Sequence, residues 1–197
     1  MDTLDFGPAT HALAGIVAGV RDDQLGDPTP CPAYTVGDLV DHIGGLTIAF
    51  TAAARKERLE GDGAPSADAS RLEAGWRDRI VGSLKELGEA WRDPAAYDGI
   101  TQAGPVDLPG DVAALVALDE VVVHGWDLAR ATDQPYEPGE EAALACLGFV
   151  QSFEPPAQGS GDGGLYGPPV AVPDDAPALD RLVGATGRDP RWAPPVS

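Results

Sequence analysis

Asp119-Glu120-Val121-Val122-Val123-His124-Gly125-Trp126-Asp127 sets a carboxylate and an imidazole four residues apart inside an otherwise apolar run. On an α-helix four residues make about one turn, leaving the two side chains roughly 40° apart around the axis, so both reach toward one point. A helix apolar on most of its circumference belongs among other helices. The run therefore predicts a buried helix over about 111–132, and with it a helical bundle rather than a sheet protein.

Upstream, Leu39, Ile43, Leu46, Ala49, Phe50 and Ala53 define one face of a helix beginning at Thr35. Thr35-x-x-Asp38 resembles a capping box with Asp in the place of Glu. His42 falls between Leu39 and Leu46 on one side and Ala49 on the other, so it points toward the core or its edge. Apolar spacing predicts a first helix over 3–25 and a third over about 68–92, with Leu72, Trp76, Ile80, Leu84, Leu87 and Trp91 on its core face. Gly26 to Pro32 and Gly61 to Pro65 break the chain between them. Residues 93–110 read as a long loop with room for short extended structure. A fifth helix is expected from Glu140 to about Phe153, and a short last one around Asp180–Gly184. The Pro- and Gly-rich stretch 155–179, including the glycines at 158–164, reads as irregular. The expected architecture is mainly all-α: a four-helix bundle over 1–154 with an additional helix, and an irregular C-terminal extension over 155–197 packed on it.

The 197 residues carry a net charge of −19. A surface this acidic repels nucleic acid and anionic lipid, so neither is expected as a partner. No stretch approaches the roughly 18 apolar residues of a membrane span, and Met1-Asp2-Thr3-Leu4-Asp5-Phe6 lacks the basic start and apolar run of a signal peptide. A cytoplasmic location is expected. Two cysteines, Cys31 and Cys146, are too few for a disulfide scaffold or a cysteine zinc site and read as small buried side chains. Eleven Arg against two Lys hint at a GC-rich genome.

The chain has three histidines. His11, on the first helix without an acidic partner at helical spacing, is left aside. His42, Glu120 and His124 form a candidate metal set, one ligand from the second helix and two from the fourth. Two imidazoles and a carboxylate suit Zn, Ni, Fe or Mn, and three protein ligands leave positions for water or substrate. The plainer alternative is that Asp119, Glu120, His124, Asp127 and Arg130, all within an arc of about 140°, simply face solvent, with Glu120–His124 an ordinary helix pair and His42 a satisfied core histidine. Asp38, one turn before His42, is better explained as a cap than as a fourth ligand. Asp127, one turn after His124, can orient the imidazole as an acceptor. No serine occupies a nucleophile turn and no Gly-rich loop has the flanking elements of a phosphate site.

Thr29-Pro30-Cys31-Pro32-Ala33-Tyr34-Thr35-Val36-Gly37-Asp38-Leu39-Val40-Asp41-His42 and Glu120-Val121-Val122-Val123-His124-Gly125-Trp126-Asp127-Leu128-Ala129-Arg130-Ala131 together resemble the two signatures of the mycothiol-dependent maleylpyruvate isomerase-like proteins of the DinB-like superfamily. The tail, from Tyr166-Gly167-Pro168-Pro169-Val170 through Pro177 and then Leu182 to Pro190, is similar to that of a mainly actinobacterial subgroup. The resemblance implies a DinB-like four-helix bundle threaded up-down-down-up with a long crossover, and a divalent metal held by His42, Glu120 and His124. It departs in one respect. The isomerases carry a further C-terminal α/β domain that supplies an active-site arginine. Residues 155–197 are too short for such a domain, and none of Arg181, Arg188 and Arg191 can be matched to that role. Maleylpyruvate isomerisation itself is therefore not expected.

Three functions follow as expectations. The first is a metal-dependent enzyme that activates a low-molecular-weight thiol such as mycothiol, as cosubstrate, for transfer to a small electrophile. The second is a hydrolase using metal-activated water with Asp127 as base. The third is a non-enzymatic metal- or ligand-binding module, in which the acidic bundle serves partner binding. A homodimer stays among the expected assemblies.

Overall fold

The computed structural model describes residues 3–59, 67–104, 106–152 and 166–195. Its helices are α1 (Gly7–Gly19), α2 (Val36–Ala54), α3 (Trp76–Ala90), α4 (Gly110–Ala131), α5 (Glu140–Gln151) and α6 (Ala178–Ala185), with one antiparallel hairpin of β1 (Ile100–Ala103) and β2 (Val106–Pro109). The first four helices form the bundle. α1 packs on α3 and α4, and α2 packs on the same two, so consecutive helices α1 and α2 stand across a diagonal. α5 lies on α4, and α6 on α5.

Phe6, Leu13, Leu39, Leu84, Leu87, Trp91, Leu118 and Leu128 are fully buried at the centre, with the rings of Phe6 and Trp91 stacked 5.6 Å apart. Each such leucine contributes about 1.5–3 kcal/mol by burial. An exposed pair such as Arg21–Asp23 contributes about 0–1 kcal/mol. Apolar packing, not the charged surface, holds the bundle together.

α2 begins as its sequence predicts. Thr35 Oγ1 accepts a hydrogen bond from the Asp38 amide at 3.2 Å, and Asp38 Oδ2 accepts one from the Thr35 amide at 3.1 Å. Asp38 Oδ1 also accepts from the Ala69 amide at 2.9 Å, tying the α2–α3 connection to the start of α2. These hydrogen bonds, with Thr35 first among them, hold its carboxyl below the ordinary range.

Four expectations need correction. The first helix covers only Gly7–Gly19 of the expected 3–25: Pro8 stands at its start, and the chain is extended at Val20 before a 3-10 turn at Asp22–Gln24. The third starts at Trp76, because Gly75 has φ +78° and separates it from a 3-10 turn at Ala69–Arg71. Residues 93–110 are more ordered than a loop, holding a 3-10 turn at Pro94–Tyr97 and then the hairpin. Cys31 is only half-buried, whereas Cys146 is buried as expected. The break at Gly61–Pro65, the expected helix end at Phe153 and the glycines at 158–164 lie outside the described residues. Among those described, no helix is long and apolar enough to cross a membrane.

Candidate metal centre

α4 supplies most of the site because it is buried on nearly every side. Gly125 explains how neighbours come so close. A Cβ there would lie 2.2 Å from the Tyr136 hydroxyl. Without one, the Tyr136 ring lies against the helix and its hydroxyl donates to the Val121 carbonyl at 3.1 Å.

His42 from α2 and Glu120 and His124 from α4 converge. Each offers one ligand atom, and the three lie within 4.8 Å of one another. Two metal–ligand bonds of about 2.0–2.2 Å span roughly 3.5 Å at a tetrahedral angle, so the three atoms need draw together only slightly to share one ion. The rings of His42 and His124 meet edge to face with centroids 5.1 Å apart, and the Tyr34 ring lies 5.2 Å from His42. Asp38 is committed to its cap, and His11 is exposed on α1.

His124 is oriented from both ends. Its Nε2 lies 3.0 Å from Glu120 Oε2, and its Nδ1 lies 3.1 Å from Asp127 Oδ2. An ionised carboxylate only accepts, so Nδ1 carries the proton and Nε2 is the atom turned toward the candidate ligands. Burial pulls the His124 pKa down, but the hydrogen bonds to Asp127 and Glu120 outweigh it and push the group up to about 9. Burial works against the ionised form of Glu120 too, and is overcome by the His124 hydrogen bond and charge, which hold its carboxyl below the ordinary range. Asp127 is likewise held low against its burial, by His124 and Arg188.

The polar arc of α4 does not face solvent. Asp119 and Asp127 are 4% and 0% exposed, and the C-terminal segment lies over the arc. Tyr166 donates to Asp119 Oδ2 at 2.9 Å. Arg188 grips Asp127 with two bonds, Nη2 to Oδ2 at 2.9 Å and Nε to Oδ1 at 3.3 Å. Arg130 donates to the Trp192 carbonyl. Burial raises the Asp119 carboxyl to about 7 despite the Tyr166 hydrogen bond; its Oδ1 has no hydrogen-bond partner among the described residues.

Arg188, weighed with Arg181 and Arg191 but matched to no role, and Tyr166, quoted only as part of the tail, are the residues beside the candidate donors whose contacts the sequence did not reveal. The geometry also corrects the idea of Asp127 as a general base. A carboxylate with no exposure, bonded to one imidazole and one guanidinium, is a holder and not a proton acceptor for water.

Arg188 pairs with one of the two carboxylates beside the imidazoles, Asp127, and His124 lies against the other, Glu120. Glu120 keeps 29% side-chain exposure, so the donor set is reachable from outside. Inside the bundle the space beside Glu120, between Leu13, Ile43, Phe50 and Leu84, is only about 10 Å³, room for a single water. The Tyr34 ring, against that of His42, borders the site on another side.

The bundle, with two imidazoles and a carboxylate on facing helices, has a DinB-like all-α fold. More particularly, residues 6–129 match the mycothiol maleylpyruvate isomerase N-terminal domain, and the chain belongs to that family. Two uncharacterized proteins of Mycobacterium tuberculosis, from strains CDC 1551 / Oshkosh and ATCC 25618 / H37Rv, are each 29% identical over 185 residues, 93% of this chain and 95% of theirs. The crystal structure of the mycothiol-dependent maleylpyruvate isomerase shares the fold, with a TM-score of 0.51 and 17% identity over 72% of this chain. The match covers 63% of the isomerase, less than two thirds of its length.

Proposed function

We propose that this chain holds a divalent cation on His42, Glu120 and His124 and serves as a metal-dependent enzyme joining a low-molecular-weight thiol to a small electrophile. The convergence of those three donor atoms within 4.8 Å carries the proposal. The family, together with the mycothiol dependence of its solved relative, supplies the substrate class. When bound, the ion supplies Lewis acidity that favours the thiolate form of an incoming thiol. Zinc is the first choice for this donor set, with nickel, iron and manganese compatible.

The residues divide the remaining work. Asp127 keeps the His124 ring turned so that Nε2 faces Glu120, and Arg188 keeps Asp127 in place. Tyr34 borders the site beside His42. The protein's own thiols do not replace the incoming one: Cys31 is raised by burial and then by the Asp127 charge, and Cys146 by burial, so both stay protonated at neutral pH. In this reading the bundle domain, 1–154, carries the donors, and residues 166–195 of the extension cover α4.

The test is to supply zinc-loaded, tag-free protein with mycothiol and a panel of small electrophiles while following free thiol. Thiol consumption that disappears in His124→Ala supports the proposal. Retained metal with no thiol consumption across the panel refutes the enzymatic part and leaves a binding module.

A further inference from the structure

We infer that Arg188 is a positioning residue of the metal centre, so that the C-terminal segment, and not the bundle alone, sets how tightly the site holds its ion. The inference rests on the metal reading above and extends it to a residue with no ligand atom of its own.

The chain of contacts is continuous. Arg188 bonds both oxygens of Asp127, and Asp127 bonds Nδ1 of His124. Nε2 of the same ring lies against Glu120. The arginine side chain is 14% exposed and the aspartate 0%, so solvent screens this pair little. A two-point grip fixes the plane of a carboxylate as well as its position. Fixing that plane fixes the ring hydrogen-bonded to it. With the guanidinium removed, nothing fixes the plane of the Asp127 carboxylate, and a carboxylate free to turn away releases Nδ1 and loosens His124.

The segment that presents Arg188 is itself firmly seated. The Arg188 amide donates to the Val183 carbonyl at 2.8 Å, and its Nη1 donates to the Thr186 carbonyl at 3.1 Å. Val170 donates to the Gly184 carbonyl at 2.9 Å, joining α6 to the strand of chain before it. Tyr166 and Trp192 meet Asp119 and Arg130 of α4 at either end of the same segment. Arg188 thus reaches Asp127 from a structured support rather than from a loose tail.

The experiment uses the full-length, tag-free chain and measures zinc and cobalt affinity by competition with a chromogenic chelator, together with the visible spectrum of the cobalt form. Arg188→Gln should weaken both affinities by about 10–100-fold, as removal of outer partners of metal-binding histidines does, and should change the cobalt bands. Arg188→Lys, which keeps the charge but loses the fork, should recover part of the loss. Arg191→Gln, at an exposed arginine paired with Asp189, should match the parent chain. In a double-mutant cycle with Asp127→Asn, the losses should be clearly less than additive, because Arg188 acts through Asp127. Tight parental binding with unchanged affinity in Arg188→Gln overturns the inference and leaves the metal reading standing. Additive losses also overturn it. No binding by the parent chain removes both. If Arg188→Gln does not fold, Arg188→Lys carries the same decision: affinity and spectrum identical to the parent's count against the inference.

Discussion

Asp127 Oδ2 stands 3.1 Å from His124 Nδ1 and 2.9 Å from Arg188 Nη2, so one buried oxygen joins the imidazole of a candidate ligand to the C-terminal segment. The consequence for stability is direct. Breaking a buried ion pair from one side costs about 3–5 kcal/mol, because the surviving charge stays desolvated. Asp127→Ala should lower the urea-unfolding free energy of the metal-free chain by that amount. A loss under 1 kcal/mol would mean that Arg188 finds solvent or another partner.

Two glycine-to-alanine changes on helices should have opposite signs. Gly148 in α5 is exposed, with nothing within 4 Å of an added Cβ, and alanine there should stabilise by about 0.5–1 kcal/mol. At Gly125 the same helix preference acts, but the added methyl meets the Tyr136 ring, and overpacking costs about 1–3 kcal/mol. Gly125→Ala should therefore destabilise on balance. Thermal unfolding of the two variants side by side checks the signs.

The capping box of α2 gives a pH dependence. The Asp38 carboxyl titrates below its ordinary value in the folded chain, chiefly through its bond with Thr35. Its contribution is therefore complete above the unfolded pKa of about 3.9 and lost as pH falls through the lower folded value. The stability gap between the parent chain and Asp38→Asn should be constant from pH 5 to 7 (about one unit and more above that pKa) and close below it. A gap that persists unchanged to the acid limit would show that the charge of Asp38 contributes nothing. Thr35→Ala, which removes the cap oxygen, should cost about 1 kcal/mol at pH 5 to 7 and less as Asp38 takes up its proton in acid.

The candidate donor set and the helices that carry it were legible because both signals are local. The cap at Thr35 and the four-residue step from Glu120 to His124 need only neighbours along one helix, and His42 followed from its place between Leu39 and Leu46. What could not be read depends on distant partners. Periodicity placed Asp119, Asp127 and Arg130 on one arc but carried no information about what covers it, and the cover proved to be Tyr166, Arg188 and Trp192. The Arg188–Asp127 contact spans 61 positions and leaves no spacing to detect. The hairpin was foreseen only as room for short extended structure, and its pairing was not legible for a different reason. Strands of four residues, with Ile100 and Val106 exposed at their starts, are too short to establish an alternating pattern.

The three candidate ligands should also be separable from the third histidine. His42→Ala, Glu120→Ala and His124→Ala should each reduce zinc affinity by more than the about 10–100-fold expected of an outer partner. His11→Ala, on the exposed face of α1, should leave it unchanged. Equal behaviour of all four variants in a chelator competition would contradict the assignment.

The most direct test is elemental analysis of the full-length chain purified without a histidine tag and then dialysed against zinc, alongside a variant lacking His42, Glu120 and His124 together. The account predicts one divalent ion per parent chain and none in the variant. A parent chain without metal, or a variant that retains it, would contradict the central claim.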